Sequence, residues 1–147
     1  MRVLGIDYGD RHLGLALSDP LLVTARPFGS YTLTGNEAAD RRYFRELVLR
    51  HNIEEIVIGF PLRMDGSEGN RVEKTKRFAA WLEKAVGKRI IFMDERLTTR
   101  QAQGMMREEK KGPVRLKKER EDELAAVIIL STYLERKRSE RDAGENT

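Results

Sequence analysis

The chain has 147 residues and no cysteine, so we expect one domain with a single hydrophobic core, and disulfides and thiolate metal sites are excluded. With two histidines in the whole chain, any metal site must consist mostly of carboxylates, which favours Mg²⁺ or Mn²⁺ over zinc. The formal net charge of +4 is compatible with nucleic acid as a partner, while the lack of a long apolar run or a signal-peptide pattern indicates a cytoplasmic protein without a membrane span.

Residues 2–19 predict two strands joined by a tight turn, because apolar and small residues alternate in both runs. Leu4, Ile6 and Tyr8 share one face of the first strand, Val3, Gly5 and Asp7 share the other, and the second strand divides into Leu13, Leu15 and Leu17 against Gly14, Ala16 and Ser18. Asp7 is therefore a carboxylate at the end of an apolar strand, where an unpaired charge is costly. A metal ion or a bound phosphate group would offset that cost; a surface aspartate that caps the turn is the alternative.

The rest of the chain alternates between predicted strands and helices. In chain order we predict a strand at 24–33, a helix at 37–51, a strand at 54–59, a loop at 60–70, a helix at 72–86, a strand at 89–94, a short helix at 98–107, a mobile basic segment at 108–118 and a final helix at 119–136. The domain then spans residues 1–138, and residues 139–147 form a charged, flexible tail. Because strand–helix–strand units imply parallel crossovers, the expected α/β fold is a mixed five-stranded sheet with helices on both faces.

Three acidic residues are placed to meet at one edge of this sheet. Asp7 closes the first strand, Glu95 follows the strand at 89–94, and ligands in such sheets bind at the carboxyl ends of parallel strands. Asp122 lies in the first turn of the predicted final helix, on a stripe of small and apolar residues that can face the sheet. Three carboxylates in one place repel one another unless cations intervene, and two divalent ions would neutralise them and hold a phosphodiester for attack by water.

Other interpretations of the same residues are open. Asp94 and Glu95 are neighbours and point to opposite faces of a regular strand, so one of the two belongs in the site, and we favour Glu95. Asp122 stands among three glutamates, and this acidic turn would also suit the positive end of a helix dipole.

Candidate substrate contacts surround these acids. Gly9 and Arg11 lie in the turn after Asp7, and Arg96 stands beside Thr98, which opens a helix whose N-terminus favours anions. An ordinary strand–helix connection with capping residues is the alternative at Thr98. Residues 107–120 carry seven lysines and arginines against three glutamates, so we expect this basic segment to contact phosphates. The lysines concerned are Lys110, Lys111, Lys117 and Lys118.

Four motifs, in order along nearly the whole chain, resemble those of one protein family. They are Gly5-x-Asp7-x-Gly9-x-Arg11-x-x-Gly14-x-Ala16-x-Ser18-Asp19, Gly59-Phe60-Pro61-Leu62-x-Met64-Asp65-Gly66-Ser67-Glu68-Gly69, Asp94-Glu95-Arg96-Leu97-Thr98-Thr99 and Asp122-x-x-Ala125-Ala126. The set is similar to the YqgF-type family of the RNase H-like superfamily, whose members are described as pre-16S rRNA nucleases or Holliday junction resolvases. The resemblance implies an RNase H-like fold, with Asp7, Glu95 and Asp122 as catalytic acids that hold Mg²⁺ or Mn²⁺.

The leading hypothesis is a metal-dependent endonuclease that acts in the 5′-end maturation of precursor 16S rRNA. A resolvase of four-way DNA junctions is the alternative, but it must cut two related strands with two active sites in a stable dimer. The sequence has no heptad run, and the sheet needs the apolar face of the last helix, so we favour a monomer. Two further hypotheses are a nucleic-acid-binding module that does not cleave, which the three acids disfavour, and a nucleotide-clamping kinase, which needs a second lobe.

Overall fold

The computed structural model describes residues 1–60, 70–94 and 114–145, with side chains from residue 120 to 144 in the last of these ranges. In these ranges the chain forms five strands and three helices. They are β1 (Arg2–Tyr8), β2 (His12–Ser18), β3 (Ala25–Thr32), α1 (Glu37–Arg50), β4 (Ile53–Phe60), α2 (Asn70–Val86), β5 (Arg89–Asp94) and α3 (Val114–Glu145). The predicted short helix at 98–107, most of the predicted loop at 60–70 and residues 108–113 of the predicted basic segment lie outside the described residues.

The five strands form one mixed sheet in the order β3-β2-β1-β4-β5, which confirms the predicted architecture. β1 pairs with β2 in antiparallel fashion, and β1, β4 and β5 run parallel to one another. The carboxyl ends of these three parallel strands therefore lie at the same end of the sheet. We call this end the carboxyl edge and define it by Tyr8, Phe60 and Asp94, the last residues of β1, β4 and β5.

Helices cover both faces of the sheet, and each face has its own apolar cluster. Leu4 and Ile6 of β1 pack with residues of α1 and α2, whereas Val3 packs with residues of α3. The predicted alternation of large apolar and small side chains along β1 and β2 is therefore confirmed, because the small residues of both strands lie on the face of the sheet that α3 covers. Gly5 shows why they are small: a Cβ atom there would lie 2.8 Å from Leu130 Cβ of α3. The absent side chain lets α3 approach the sheet closely.

A capped helix start and a buried carboxylate hold α1 in place. The side chain of Asn36 accepts hydrogen bonds from the backbone N–H groups of the second and third residues of α1, as expected for an N-cap. Asp40 is 6% exposed, and its Oδ1 accepts from Tyr31 Oη at 2.7 Å and from the backbone N–H of Thr34 at 3.1 Å. Burial by itself would raise the pKa of Asp40, but the bonds from Tyr31 and Thr34 outweigh it and lower the pKa.

The bounds of the last helix correct the prediction at both ends. The helix was predicted at 119–136, but α3 runs from Val114 to Glu145. Residues 114–118, predicted as part of the mobile segment, and residues 139–145, predicted as part of the flexible tail, are helical. Half of these twelve residues are Lys, Arg or Glu, which are good helix formers. Once the sheet fixes the middle of the helix, each further turn extends it at little cost.

Candidate active site

Asp7 lies near the end of β1 on the face of the sheet that α3 covers. It is half-buried, and alternation along β1 places it on the same face as Gly5 and Val3. Its Cα partner across the antiparallel pair is Gly14 of β2. Directly opposite residues of such a pair share one face and have Cα atoms roughly 4.5–5.5 Å apart. Whatever lies over Gly14 is therefore next to the Asp7 side chain.

The backbone of Asp122 lies over Gly14. A Cβ atom on Gly14 would overlap the main-chain carbonyl of Asp122 and would lie 3.0 Å from the backbone nitrogen of Glu123. Glycine is thus required at this position by the close approach of α3. The structure brings the backbone positions of two predicted acids, Asp7 and Asp122, together across one glycine at the carboxyl edge.

The stripe of α3 that carries Asp122 faces the sheet, as the sequence predicts. Ala126, Ile129 and Tyr133 of this stripe are buried in the apolar cluster between α3 and the sheet, which we call the α3-face cluster. The prediction that Asp122 lies in the first turn of its helix is wrong, since Asp122 follows the first residue of α3, Val114, by more than two turns. The influence of a helix dipole fades within the first turn, so compensation of the dipole does not explain this carboxylate.

The third predicted acid, Glu95, lies outside the described residues, as do Arg96, Thr98, Lys110 and Lys111. Lys117 and Lys118 belong to α3, but their side chains are also outside the description. Asp94 ends β5 opposite Phe60 of β4. Its neighbour Met93 belongs to the α3-face cluster, so alternation places Asp94 on the other face of the sheet, away from Asp7.

The turn between β1 and β2 lies beside Asp7 at the carboxyl edge. The backbone N–H of Gly9 donates to the carbonyl of His12 at 3.0 Å, and a Cβ atom on Gly9 would lie 2.8 Å from that oxygen. Gly9 is therefore required by the turn itself. The carbonyl of Arg11 accepts from the backbone N–H of Leu33 at 2.8 Å, and the Arg11 side chain is exposed. This bond fixes the backbone of Arg11 while its side chain is exposed to solvent.

The donor chemistry at this edge suits a hard divalent cation. The two neighbouring positions Asp7 and Asp122 both supply carboxylate oxygens, the ligands that Mg²⁺ and Mn²⁺ prefer. Within the described ranges no group of three or more His, Cys, Asp or Glu residues is placed to hold a metal ion. Completion of a three-carboxylate set would require a residue such as Glu95, which those ranges do not include.

A polar cluster that sequence reasoning missed holds α3 on the sheet. Glu55 of β4 accepts from Tyr133 Oη and from Lys137 Nζ, both at 2.6 Å, and both donors belong to α3. Burial would raise the pKa of Glu55, but these two bonds outweigh it and lower the pKa. No sequence pattern points to a contact between residues 78 and 82 positions apart. The cluster fixes the helix that carries Asp122.

Solved structures show which class of fold this is. The chain resembles a structure of RuvC from Thermus thermophilus with a TM-score of 0.56 and 17% sequence identity, over 95% of this chain and 97% of that one. A second structure, of Thermus thermophilus RuvC in complex with a Holliday junction substrate, matches with a TM-score of 0.52 over 94% of this chain and 96% of that one. The protein has a RuvC-like, RNase H-like fold, as the sequence predicts.

Sequence comparison then gives the family within that fold. The model of the RuvX family, described as "Holliday junction resolvase", matches residues 1–136. The chain belongs to this family, which confirms the predicted YqgF-type relationship.

Curated relatives carry a second description. A protein of Lachnospira eligens is 40% identical over 93% of this chain and 99% of its own length, and one of Moorella thermoacetica is 42% identical over 92% and 96%. Each bears the name "Putative pre-16S rRNA nuclease". None of the described helices is both long and apolar enough to cross a membrane.

Proposed function

We propose that the protein is a metal-dependent endonuclease that hydrolyses phosphodiester bonds in precursor 16S rRNA. The observation that carries the proposal is the close approach of α3 to β2, which puts Asp122 over Gly14 and therefore beside Asp7. Two carboxylates at neighbouring positions repel each other, and a bound divalent cation would offset that repulsion. The names of the relatives and the description of the family support a nuclease. The cytoplasmic location stays a prediction.

Asp7 and Asp122 would hold the metal in this proposal, with Glu95 as the third ligand on the strength of its motif position alone. Two divalent ions, when bound, would neutralise the phosphodiester and lower the pKa of an attacking water. The protein's own part is to fix the ligands: β1 holds Asp7, and the Glu55–Tyr133–Lys137 cluster together with the buried stripe of α3 holds Asp122. Rigid ligands reduce the reorganisation needed during the reaction.

Basic side chains would position the substrate around these acids. Arg11 is exposed in the turn beside Asp7, and we keep Gly9, Arg96 and Thr98 as proposed contacts at the same edge. The lysines of the basic segment, Lys110, Lys111, Lys117 and Lys118, would add contacts to phosphates.

A four-way DNA junction is the second candidate substrate, because the family description names that activity. Resolution of a junction needs two active sites related by symmetry, and hence a dimer. We favour precursor RNA and a monomer, since trimming of an RNA end needs one site.

Cleavage assays with both substrates test the proposal. We expect the purified protein to cut a precursor 16S rRNA fragment in Mg²⁺ or Mn²⁺, to stop cutting in excess EDTA, and to cut a four-way junction more slowly. Asp7→Asn and Asp122→Asn should abolish most cutting, whereas Asp142→Asn, an exposed aspartate near the far end of α3, should not. Undiminished cutting in EDTA would refute the metal-dependent activity, and symmetric nicking of the junction by a dimer, faster than any RNA cleavage, would reverse the choice of substrate.

A further inference from the structure

A cavity of about 360 Å³ lies at the carboxyl edge, on the face of the sheet that α1 and α2 cover and therefore on the face opposite Asp7. Aromatic, acidic and basic side chains line it. Tyr8 follows Asp7 in β1, and adjacent residues of a strand point to opposite faces. The cavity and the candidate active site therefore lie at the same end of β1, on opposite faces of the sheet.

Three aromatic rings form the floor of this cavity. Tyr8 stacks on Phe78 with a centroid distance of 4.8 Å, and Trp81 lies 6.0 Å from Phe78 on the same helix. Phe78 is buried, whereas Tyr8 and Trp81 are partly exposed. The two outer rings can thus offer surface to a planar ligand, and aromatic side chains of this kind are the usual platforms for unpaired bases.

Two cations stand at the rim, three positions apart on α2. Lys74 Nζ lies 3.3 Å from Asp10 in an ion pair that is more than half exposed on both sides. Such a pair contributes little free energy and can be exchanged for a phosphate at low cost. Arg77 is exposed and forms no ion pair with any residue in the described ranges. The rim therefore favours an anion next to the aromatic floor.

The cavity also contains hydrogen-bonding groups. Glu37 is exposed, and its carboxylate can accept from an amino group of a base or a hydroxyl of a sugar. Asp40 is buried and already accepts from Tyr31 and Thr34. The aromatic surface, the two cations and the Glu37 carboxylate together match the base, phosphate and sugar of a nucleotide.

We propose that this cavity binds one nucleotide of a single-stranded segment of the substrate, with its base against Tyr8 and Trp81 and its phosphate at Lys74 and Arg77. The proposal rests on the proposed nuclease function, because it requires the nucleic-acid strand bound at Asp7 to continue past the end of β1 into the cavity. Binding of this nucleotide would give the enzyme a preference for substrates with an unpaired stretch beside the cleaved bond. Bases within a duplex cannot reach the aromatic rings of the cavity.

Trp81 is the one tryptophan in the chain, so its fluorescence reports directly on this cavity. The test uses the Asp7→Asn variant in EDTA, which separates binding from cleavage and metal. A short single-stranded RNA should quench Trp81 emission saturably, whereas the same sugar–phosphate backbone without bases, or the RNA in a duplex, should quench little. Equal quenching by the base-free backbone, or saturable binding by anisotropy without any change in emission, would overturn the proposal.

Variants then locate the binding in the cavity. Arg77→Ala should weaken binding of the single-stranded RNA. Lys84 is an exposed cation at the other end of the same helix, so the Lys84→Ala control should bind the RNA more tightly than Arg77→Ala does. Trp81→Leu should lower affinity by roughly 5- to 150-fold, the range of one stacked base. Equal affinities of Arg77→Ala and Lys84→Ala would contradict the proposal even if Trp81→Leu failed to fold. Quenching without cleavage of any substrate by the wild type would refute the nuclease function and leave the binding site standing.

Discussion

At the scale of single residues, the candidate site depends on a glycine as much as on its acids. Gly14 has no catalytic group, yet the backbone of Asp122 lies over it, and Gly14 is the cross-strand partner of Asp7. The atom that a larger residue would meet is a main-chain carbonyl in the middle of a helix, which cannot rotate away as a side chain can. The position therefore tolerates no Cβ atom without a shift of α3.

Gly14→Ala should therefore impair both stability and activity. We expect a loss of about 1–3 kcal/mol in the free energy of unfolding, as for other overpacked sites, and a large loss of cleavage because Asp122 moves from Asp7. Urea denaturation and the cleavage assay measure the two effects. Gly144→Ala is the matched control, since nothing lies within 4 Å of a Cβ atom at that position. A Gly14→Ala variant as stable and active as the wild type would show that α3 does not press on β2.

Asp40 gives a prediction for pH. Its pKa in the folded protein lies below the ordinary value of 3.8, so the carboxylate adds stability at neutral pH that is lost as the pH falls through the folded-state pKa. Asp40→Asn should lower the free energy of unfolding at pH 7 by about 1–3 kcal/mol. It should also make stability less sensitive to acid below about pH 4. Urea titrations at pH 7 and pH 3 test this, and an equal loss of stability on acidification in both proteins would contradict it.

At the scale of elements, α3 is the part of the fold that makes the site. Its buried stripe packs on β1 and β2, and its polar contacts reach β4 through Glu55. The helix therefore fixes Asp122 at one end of the sheet through contacts made several turns away. If Asp122 acts as proposed, Tyr133 and Lys137 would position it through their bonds to Glu55.

Tyr133→Phe should remove the hydroxyl bond to Glu55 and little else. Because the acceptor is a partly buried carboxylate, we expect a loss of about 1–3 kcal/mol in the free energy of unfolding. A double-mutant cycle with Glu55→Gln tests whether the effect belongs to this bond, and a coupling energy of about 0.5–3 kcal/mol is expected. Strictly additive effects would mean that the hydroxyl and the carboxylate do not interact in solution.

The basic segment gives a prediction of a different kind, on salt. Replacement of Lys110, Lys111, Lys117 and Lys118 by alanine should weaken nucleic-acid binding and flatten its dependence on salt by up to about 0.9 in the log–log slope per lost DNA phosphate contact. Binding measured by anisotropy over a range of KCl concentrations gives this slope. An unchanged slope would mean that these lysines are solvated and do not touch the strand.

For the fold as a whole, sequence patterns predicted the features that depend on residues close together in the chain. Alternation placed Asp7 on the correct face of β1, and the order of strands and helices gave the mixed sheet. The bounds of α3 were missed because helix propensity alone does not separate a charged helix from a charged loop; packing on the sheet decides it. The overlap of Gly14 with Asp122 and the bond from Tyr133 to Glu55 join distant segments, and such contacts follow from the folded path of the chain.

We propose that Asp7 and Asp122 share one metal site, and this claim can be tested by calorimetric titration of Mn²⁺ into the protein. We predict saturable binding to the wild type, a loss of affinity of at least about ten-fold in Asp7→Asn and in Asp122→Asn, and little further loss in the double variant, because both residues serve the same ions. The exposed Asp142→Asn variant should bind as the wild type does. Undiminished Mn²⁺ binding by both single variants would contradict the claim.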